Sequence, residues 1–398
     1  MRPIIAFIAS ISSKLPSVSI STTPIRKAFM SSTATATDTC SSVPPQPMMM
    51  EISTSTSKTL LMDVLQVEKE GITHPFGDSR SVKQAFPAGI PSKLSDPFLM
   101  CDYFNAVERT GPATHPDDFP VNWHPHKGFD IASYLKKGTG RHGDSLGNRE
   151  TYSTPGMQWM STGSGVEHAE GGANDVGDLV QGFQIWINTP SSQKLKDPRY
   201  GTVPTTDLPL VSLVDDDEDG GTSVVSATAR ILAGQAVGAS AGTTTADVVG
   251  PFRTSQDVQM IDFELKPSTT IDFDIARDMD TAMLYVYDGT LVATTENGME
   301  EVEQGGIILF DADTDSNDRR GIKLTSGSAR DNDVVGAHAI LFAGKKIKEP
   351  IAWHGPIVLN TQDEIRETLK QLRSGDFPPK RVPWNYKRLQ DFPDQKSS

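Results

Sequence analysis

Four side chains in the middle of the sequence have the types and the spacing needed to bind one metal ion. His124 and His126 are separated by a proline, and His168 and Glu170 are separated by an alanine. In an extended strand, residues i and i+2 point to the same face, so each pair can direct both of its side chains at one ion. Three imidazoles and one carboxylate suit a divalent ion of the Fe, Mn, Co, Ni, Cu or Zn series. We therefore predict a transition-metal site whose open positions would let non-haem Fe(II) meet oxygen or a chelating substrate.

A simpler interpretation is that these four residues are ordinary polar residues at strand ends. A lone histidine is usually of that kind, but two same-face pairs in one small region are hard to assign to packing. The two cysteines, Cys40 and Cys101, are far from each other and belong to neither pair. This disfavours a structural zinc site built on thiolates as well as a disulfide framework, and it indicates a reducing compartment.

The elements that must position these residues are strands. After Lys58 the chain breaks into short runs of β-branched and aromatic residues, punctuated by Gly, Pro, Asn and Asp. That pattern is typical of an all-β sandwich or barrel. Within residues 181–188, Phe183, Ile185 and Ile187 occupy alternate positions. We therefore expect one face of this strand to be buried and the other face to line something different.

One short helix is predicted near the end of the chain. Thr361 and Glu364 form a capping box ahead of an apolar periodic run, and Gly375 is placed to end the helix. We expect this helix to serve packing.

The length allows more than one buried core, because 398 residues exceed the size of a typical single domain. We place a first barrel with the metal site at residues 58–190 and a second barrel without a metal site at residues 191–377, followed by a tail at 378–398. The polar stretch 189–206, which contains three prolines, is the best linker candidate.

Residues 1–57 are expected to be a disordered leader outside the fold, because they are rich in Ser, Thr and Pro without periodicity. The first 37 residues contain no Asp or Glu but carry four Lys or Arg residues, the composition of a mitochondrial or plastid transit peptide. A secretory signal is one alternative. A leader without a targeting role, with Met30 rather than Met1 as the true start, is the other, and it would leave the protein in the cytoplasm or nucleus.

The formal net charge of −14 disfavours direct nucleic-acid binding, because a phosphate backbone is held by clustered Lys and Arg. No apolar run approaches the roughly 20 residues that a membrane-spanning helix needs. We expect a monomer with no membrane partner.

Several runs that contain or flank the ligand pairs resemble the N-terminal cupin signature of the pirin family. They are HPHKGFD at 124–130, GDSLGNR at 143–149, PGMQWMSTGSGVEHAE at 155–170 and QIWIN at 184–188. With weaker matches in the same order, the resemblance covers about residue 60 to about 377. It implies two cupin (jelly-roll) β-barrels in tandem, with the equivalents of His124, His126, His168 and Glu170 binding one iron between the sheets of the first barrel. Zn, Ni, Cu or Mn could occupy such a site in vitro.

Two positions depart from the family pattern. Lys127 stands where pirins usually have Arg, so a carboxylate that this side chain orients loses a bidentate partner. Asp130 stands where pirins usually have Glu, and it is either a residue supporting the ligands or an ordinary acid at a strand end.

The resemblance implies two kinds of function that use the same four ligands. One is a metal-dependent dioxygenase that opens flavonols such as quercetin, with Glu170 as the base that accepts the substrate's hydroxyl proton. The second ligand pair is preceded by Gln158, Trp159 and Met160, and alternate members of this run could line the pocket. For Trp159, a place in the hydrophobic core is an equally good interpretation. The other is a non-enzymatic, redox-sensing co-regulator that docks a protein partner. A storage protein with vestigial metal binding is disfavoured, because storage needs no intact ligand set.

Overall fold

The structure is a computed structural model, and it describes residues 60–76, 79–107, 119–172, 174–215, 224–240, 248–276, 278–312, 320–328 and 336–382. The predicted leader at 1–57 lies outside these ranges, as do residues 383–398 of the predicted tail at 378–398. Within them, no helix has the length and apolar character required to cross a bilayer.

The first half of the described chain is almost entirely strand. Its strands are β1 (Leu60–Leu61), β2 (Val64–Glu68), β3 (Ile72–Phe76), β4 (Ser79–Phe86), β5 (Phe98–Val107), β6 (Val121–His126), β7 (Phe129–Lys137), β8 (Thr139–Asp144), β9 (Arg149–Ser153), β10 (Gly156–Ser161), β11 (Val166–Gly172), β12 (Leu179–Asn188) and β13 (Arg199–Val203). A single helical turn, α1 (Ser92–Ser95), precedes β5.

The second half repeats this composition and ends in a helix. Its strands are β14 (Leu210–Asp215), β15 (Val224–Ala233), β16 (Gln235–Ser240), β17 (Val248–Val249), β18 (Val258–Leu265), β19 (Thr270–Ile275), β20 (Thr281–Thr295), β21 (Gly298–Glu303), β22 (Ile307–Phe310), β23 (Arg320–Ser326), β24 (Ala337–Gly344), β25 (Ala352–His354) and β26 (Ile357–Leu359). The helix α2 (Gln362–Ser374) follows. The all-β prediction is thus confirmed.

Two sheets build the first barrel. A seven-stranded sheet has the order β13-β10-β7-β12-β5-β4-β3, and a four-stranded sheet has the order β6-β11-β8-β9. The predicted alternation in β12 is confirmed. Phe183, Ile185 and Ile187 are fully buried in a core that the seven-stranded sheet shares with the second barrel, whereas Gln184 faces the interior of the first barrel.

A 13-stranded sheet forms the second barrel. Its interior is filled by an apolar core that includes Phe263, Leu284 and Leu341, each fully buried. The interior of the first barrel also contains buried polar side chains, among them Ser133 and Gln158. These buried polar groups place the candidate site in the first barrel.

The predicted helix forms as the sequence indicates. Thr361 and Glu364 make both hydrogen bonds of the capping box, and Gly375 ends the helix in the left-handed conformation with φ 82°. Just before this helix, β25 and β26 form a hairpin that returns to the first barrel. The Val358 N–H donates to the Lys127 carbonyl at 3.0 Å, so the hairpin is attached beside the first ligand pair.

Two strand pairings differ from what the order of strands in the sequence predicts. Strand β13 lies inside the predicted linker and pairs with β10 of the first barrel. Strands β1 and β2 precede the first barrel in sequence but pair with β23 and β22 of the second. Strand pairing is non-local, so composition reveals that a strand forms but not where it pairs. The boundary near residue 190 stays a prediction.

Candidate metal centre

The two predicted ligand pairs lie on neighbouring antiparallel strands of the four-stranded sheet. His124 and His126 belong to β6, and His168 and Glu170 belong to β11, where His168 is the direct partner of His124. A register shift between His168 and Glu170 interrupts the pairing. Because i and i+2 side chains share a face, the structure brings all three imidazoles together inside the barrel.

The imidazoles converge on one point. The ring nitrogens available from His124, His126 and His168 all lie within 4.8 Å of one another. Nε2 of His124 is 2.9 Å from Nε2 of His168. That separation is short enough for both nitrogens to bind one ion at the usual metal–nitrogen distance of about 2.1 Å.

The outer ring nitrogens of the first pair are held by backbone carbonyls. The Nδ1 atom of His124 is 2.7 Å from the Asn122 carbonyl oxygen, and Nδ1 of His126 is 3.2 Å from the Pro356 carbonyl oxygen. A carbonyl only accepts, so both Nδ1 atoms carry the proton and both Nε2 atoms present a lone pair. Nε2 of His126 is buried and has no hydrogen-bond partner among the described residues.

Burial keeps these imidazoles neutral. It lowers the pKa of His124 to about 4 and holds the pKa values of His126 and His168 well below the ordinary histidine value. Neutral imidazole is the form that binds metal, so the site is prepared for an ion without first releasing protons.

Glu170 is held by two amides from the opposite sheet. Gln158 Nε2 donates to Oε2 and Gln184 Nε2 donates to Oε1, each at 2.9 Å. Oε1 is 3.9 Å from Nε2 of His168, which places the carboxylate at the edge of the imidazole cluster. Burial raises the pKa of Glu170. The carboxylate is therefore oriented, close to the imidazoles and more basic than an exposed one.

A cavity opens directly beside Glu170. Ser133, Tyr152 and Gln184 form polar parts of its lining near the carboxylate. Its other walls are largely apolar, and they include Val82, Phe104, Val107, Leu135 and Val180. An apolar cleft with a few polar groups at one end is the usual form of a small-molecule site.

Alternate members of the run Gln158, Trp159 and Met160 were predicted to line the pocket, and the structure gives the three side chains different surroundings. Gln158 contacts Glu170. Trp159 points the other way and packs against Phe252 between the barrels, because successive side chains of a strand alternate. Met160 packs in an apolar cluster with Phe129. None of the three lines the cavity itself, and Gln158 acts at its inner end only through its hydrogen bond to Glu170.

The two family departures lie beside the ligands rather than in contact with the carboxylate. Burial lowers the pKa of Lys127, and the nearby charges of Glu364 and Glu367 on α2 oppose this effect only in part. Asp130 accepts a hydrogen bond from the Ser255 backbone N–H at 2.6 Å. Asp130 therefore fastens the first barrel to a segment that leads into the second.

Sequence reasoning missed His142, which the structure places in this centre. His142, His168 and Glu170 form a second group with ligand atoms within 4.8 Å of one another. A signal was present, because His142 and Asp144 have the same i, i+2 spacing as the two predicted pairs. Gln184 and Ser133 were missed because an uncharged residue in a strand has no spacing that marks it.

These residues fit a divalent metal ion. The unpartnered Nε2 of His126 and the close approach of Nε2 of His124 and His168 both mark one position for a cation. Imidazole and carboxylate donors suit the divalent transition metals. His124, His126, His168 and Glu170 would hold the ion.

Comparison with known proteins places the fold and the family. The Pirin family profile matches residues 79–187, and the profile of the pirin C-terminal cupin domain matches residues 260–378. Pirin from Homo sapiens is 27% identical over 284 residues, which cover 71% of this chain and 83% of the human one. A Pseudomonas aeruginosa protein, provisionally named a quercetin 2,3-dioxygenase, is 29% identical over 320 residues, covering 80% of this chain and 98% of its own.

Solved structures show the same fold. The crystal structure of quercetin 2,3-dioxygenase from Acinetobacter baumannii matches with a TM-score of 0.64 and 24% identity, covering 80% of this chain and 99% of the other. The prediction of two cupin barrels in tandem is confirmed. With both of its barrels matched by the family's own domains, this chain belongs to the pirin family of the cupin superfamily.

Proposed function

We propose that this protein is an iron-dependent dioxygenase that acts on a flavonol such as quercetin. The observation that carries the proposal is the position of the cavity, which ends at Glu170 within reach of the imidazole cluster. A planar, largely apolar substrate with a hydroxyl at one end matches walls that are apolar and an inner end that is polar.

The name given to a relative supports the same substrate class. The Pseudomonas aeruginosa protein, which aligns with most of this chain, is provisionally named a quercetin 2,3-dioxygenase. Iron is the proposed metal because three imidazoles and a carboxylate, with positions left for exchangeable ligands, suit Fe(II) that meets oxygen.

Glu170 is the proposed base. Its pKa is raised by burial, so its affinity for a proton is closer to that needed for transfer at neutral pH. The Gln158 and Gln184 amides fix the carboxylate so that it faces the cavity, where it can accept the proton of a substrate hydroxyl. When bound, the ion supplies Lewis acidity that favours ionisation of that hydroxyl.

The apolar walls contribute by excluding water. Phe104, Leu135 and Val180 surround the space in front of the carboxylate. A low-dielectric environment strengthens the interaction between an ionised substrate and the groups that hold it.

Oxygen uptake with quercetin tests the proposal in the iron-loaded protein. Val107 lines the cavity and is 55% exposed, so it lies at the open end. We expect Val107→Trp to narrow the entrance and raise KM for quercetin while the metal content stays unchanged.

Leu65→Trp is the matched control, because Leu65 is 57% exposed but lies on β2, away from the cavity. Its KM should equal that of the wild type. Absence of flavonol-dependent uptake above the rate of free iron in the loaded wild type would contradict the proposal. That result would favour the non-enzymatic, protein-binding alternative.

A further inference from the structure

Asp144 and His142, to which the proposed reaction gives no role, form a buried row of side chains with the proposed ligand His168. His142 Nε2 is 3.1 Å from Asp144 Oδ2, and His142 Nδ1 is 3.5 Å from His168 Nδ1, a long hydrogen bond. Each of the three residues is at most 1% exposed. Burying polar side chains is costly unless they are hydrogen-bonded, so this row indicates a specific role.

Strand register explains how the row forms. Strand β8 pairs with β11, so that Asp144 lies opposite His168 and His142 lies opposite Glu170. The i, i+2 spacing of His142 and Asp144 directs both side chains to the face that carries the proposed ligands. The row therefore runs alongside the metal centre, on the side of His168 that faces away from His124.

Asp144 is itself fixed by the turn that follows it. The backbone N–H groups of Leu146 and Asn148 donate to Oδ1 at 2.9 and 3.0 Å. The Asn148 side-chain amide donates to Oδ2 at 2.8 Å. These three N–H donors fix the carboxyl group as an acceptor.

The Asp144 carboxyl group determines which ring nitrogen carries the proton in His142 and in His168. A carboxylate oxygen only accepts, so His142 donates to Asp144 from Nε2, and in this tautomer its Nδ1 has the lone pair that accepts from His168. His168 must in turn donate from Nδ1. Its Nε2 is left with a lone pair that faces His124 Nε2 at 2.9 Å.

We propose that His142 is a positioning residue that, with Asp144, fixes His168 in the tautomer and orientation needed to bind the metal through Nε2. This inference rests on the proposed metal centre. Metal-binding histidines are commonly held by an acceptor on their second ring nitrogen, which also raises their basicity as ligands. Here the acceptor for His168 is His142, and the Asp144 carboxylate in turn accepts a hydrogen bond from His142.

Packing alone is the competing explanation for His142. Its ring stacks on Tyr200 with the centroids 4.1 Å apart and the planes at 10°. A residue that served only this stack could be replaced by another flat ring. His142→Phe keeps the stack but removes both nitrogens, so it separates the two roles.

The experiment measures affinity for Co²⁺, by competition with a chelator, in the full-length protein, together with its visible absorption spectrum. We expect His142→Phe to weaken Co²⁺ binding about 10–100-fold, the usual effect of losing such a support. His142→Asn should recover most of the loss, because its amide oxygen can take the place of Nδ1 as the acceptor.

Asp144→Asn provides an independent test. Its amide can donate to His142 Nε2, which would force the proton of His142 onto Nδ1 and that of His168 onto Nε2. We expect weaker Co²⁺ binding and an altered spectrum, although the amide is nearly the same shape as the carboxylate. The thermal melting of each metal-free variant shows whether it folds.

His338→Phe is the matched control, since His338 also lies against a tyrosine ring, that of Tyr287, but belongs to the second barrel. Its Co²⁺ affinity should be that of the wild type. Wild-type affinity in His142→Phe, or equal losses in His142→Asn and His142→Phe, would overturn the inference. Failure of the wild type itself to bind Co²⁺ would instead count against the metal centre.

Discussion

His126 and Pro356 are 230 residues apart in the sequence, yet Nδ1 of His126 is 3.2 Å from the Pro356 carbonyl oxygen. The carbonyl belongs to the turn between β25 and β26, which follow the last strand of the 13-stranded sheet. A segment of the C-terminal half thus orients a proposed ligand in the first barrel. Each proposed imidazole ligand has its outer nitrogen held by a different part of the chain.

The first prediction concerns the metal itself. Because the lone pairs of the imidazoles converge on one position, purified protein should carry about one transition-metal ion per chain. His126→Ala and His168→Ala should each remove it, and His338→Ala should not. Elemental analysis of the four proteins checks this. Full occupancy in both ligand variants would refute the site.

The second prediction concerns acid stability of the metal-free protein. Burial lowers the pKa of His124 from 6.5 in the unfolded chain to about 4, so between these values the unfolded state binds more protons than the folded state. The free energy of unfolding should therefore fall as the pH falls from about 6.5 to about 4, with His124 contributing up to about 3 kcal/mol.

Urea denaturation at several pH values measures this effect. His124→Gln cannot take up the proton, so its stability should depend less on pH within the same window. Equal slopes for the variant and the wild type would show that His124 does not remain neutral in the folded state.

The third prediction separates the roles of Glu170. Glu170→Gln keeps the size and one oxygen able to bind metal, but it removes the charge and most of the proton affinity. We expect metal to be retained with lower affinity, and quercetin-dependent oxygen uptake to fall by about 10²–10⁴-fold. The two proteins must be compared at matched iron content. Equal rates would remove Glu170 as the base.

The fourth prediction concerns the contact between the hairpin and the first barrel. Gly128 has φ +89°, and a Cβ there would lie 2.1 Å from the Val358 carbonyl oxygen. Gly128→Ala should displace the hairpin, lower the free energy of unfolding by about 1–3 kcal/mol and weaken metal binding through His126.

Gly177→Ala is the control for this variant. Gly177 has φ +98°, but no atom of the described residues lies within 4 Å of the Cβ position. This substitution should cause backbone strain without moving the hairpin, so stability should fall while metal affinity is kept. Denaturant unfolding and metal competition distinguish the two variants. Equal metal affinities would show that the hairpin does not support the site.

The fifth prediction concerns the leader, for which we propose organelle import. Residues 1–57 fused to a fluorescent protein should direct it to mitochondria or plastids, because their composition is that of a transit peptide. Fluorescence microscopy with organelle markers measures the location. Diffuse fluorescence would favour a leader without a targeting role, and fluorescence in the secretory pathway would favour a signal peptide.

The sequence was informative where the relevant relationship is local. The i, i+2 spacing of His124 and His126 predicted their shared face, and the capping box of Thr361 predicted the start of the last helix. The same rule would also have found His142 with Asp144, had it been applied to an aspartate as well as to histidine and glutamate.

Relationships between distant segments could not be read in this way. Nothing near His126 in sequence indicates Pro356, and nothing near Asp130 indicates Ser255. Trp159 was ambiguous for a related reason. Strand alternation gives two faces, but which face is towards the metal depends on the sheets that pack on either side.

The crossing strands have a consequence for the order of assembly during translation. Strands β1 and β2 are made first, but their partners β22 and β23 belong to the second barrel. His126 is made long before Pro356, whose carbonyl orients it. The nascent first barrel therefore lacks one support of its candidate metal centre until the hairpin leaves the ribosome, so a metal ion bound before that point would lack the final orientation of His126.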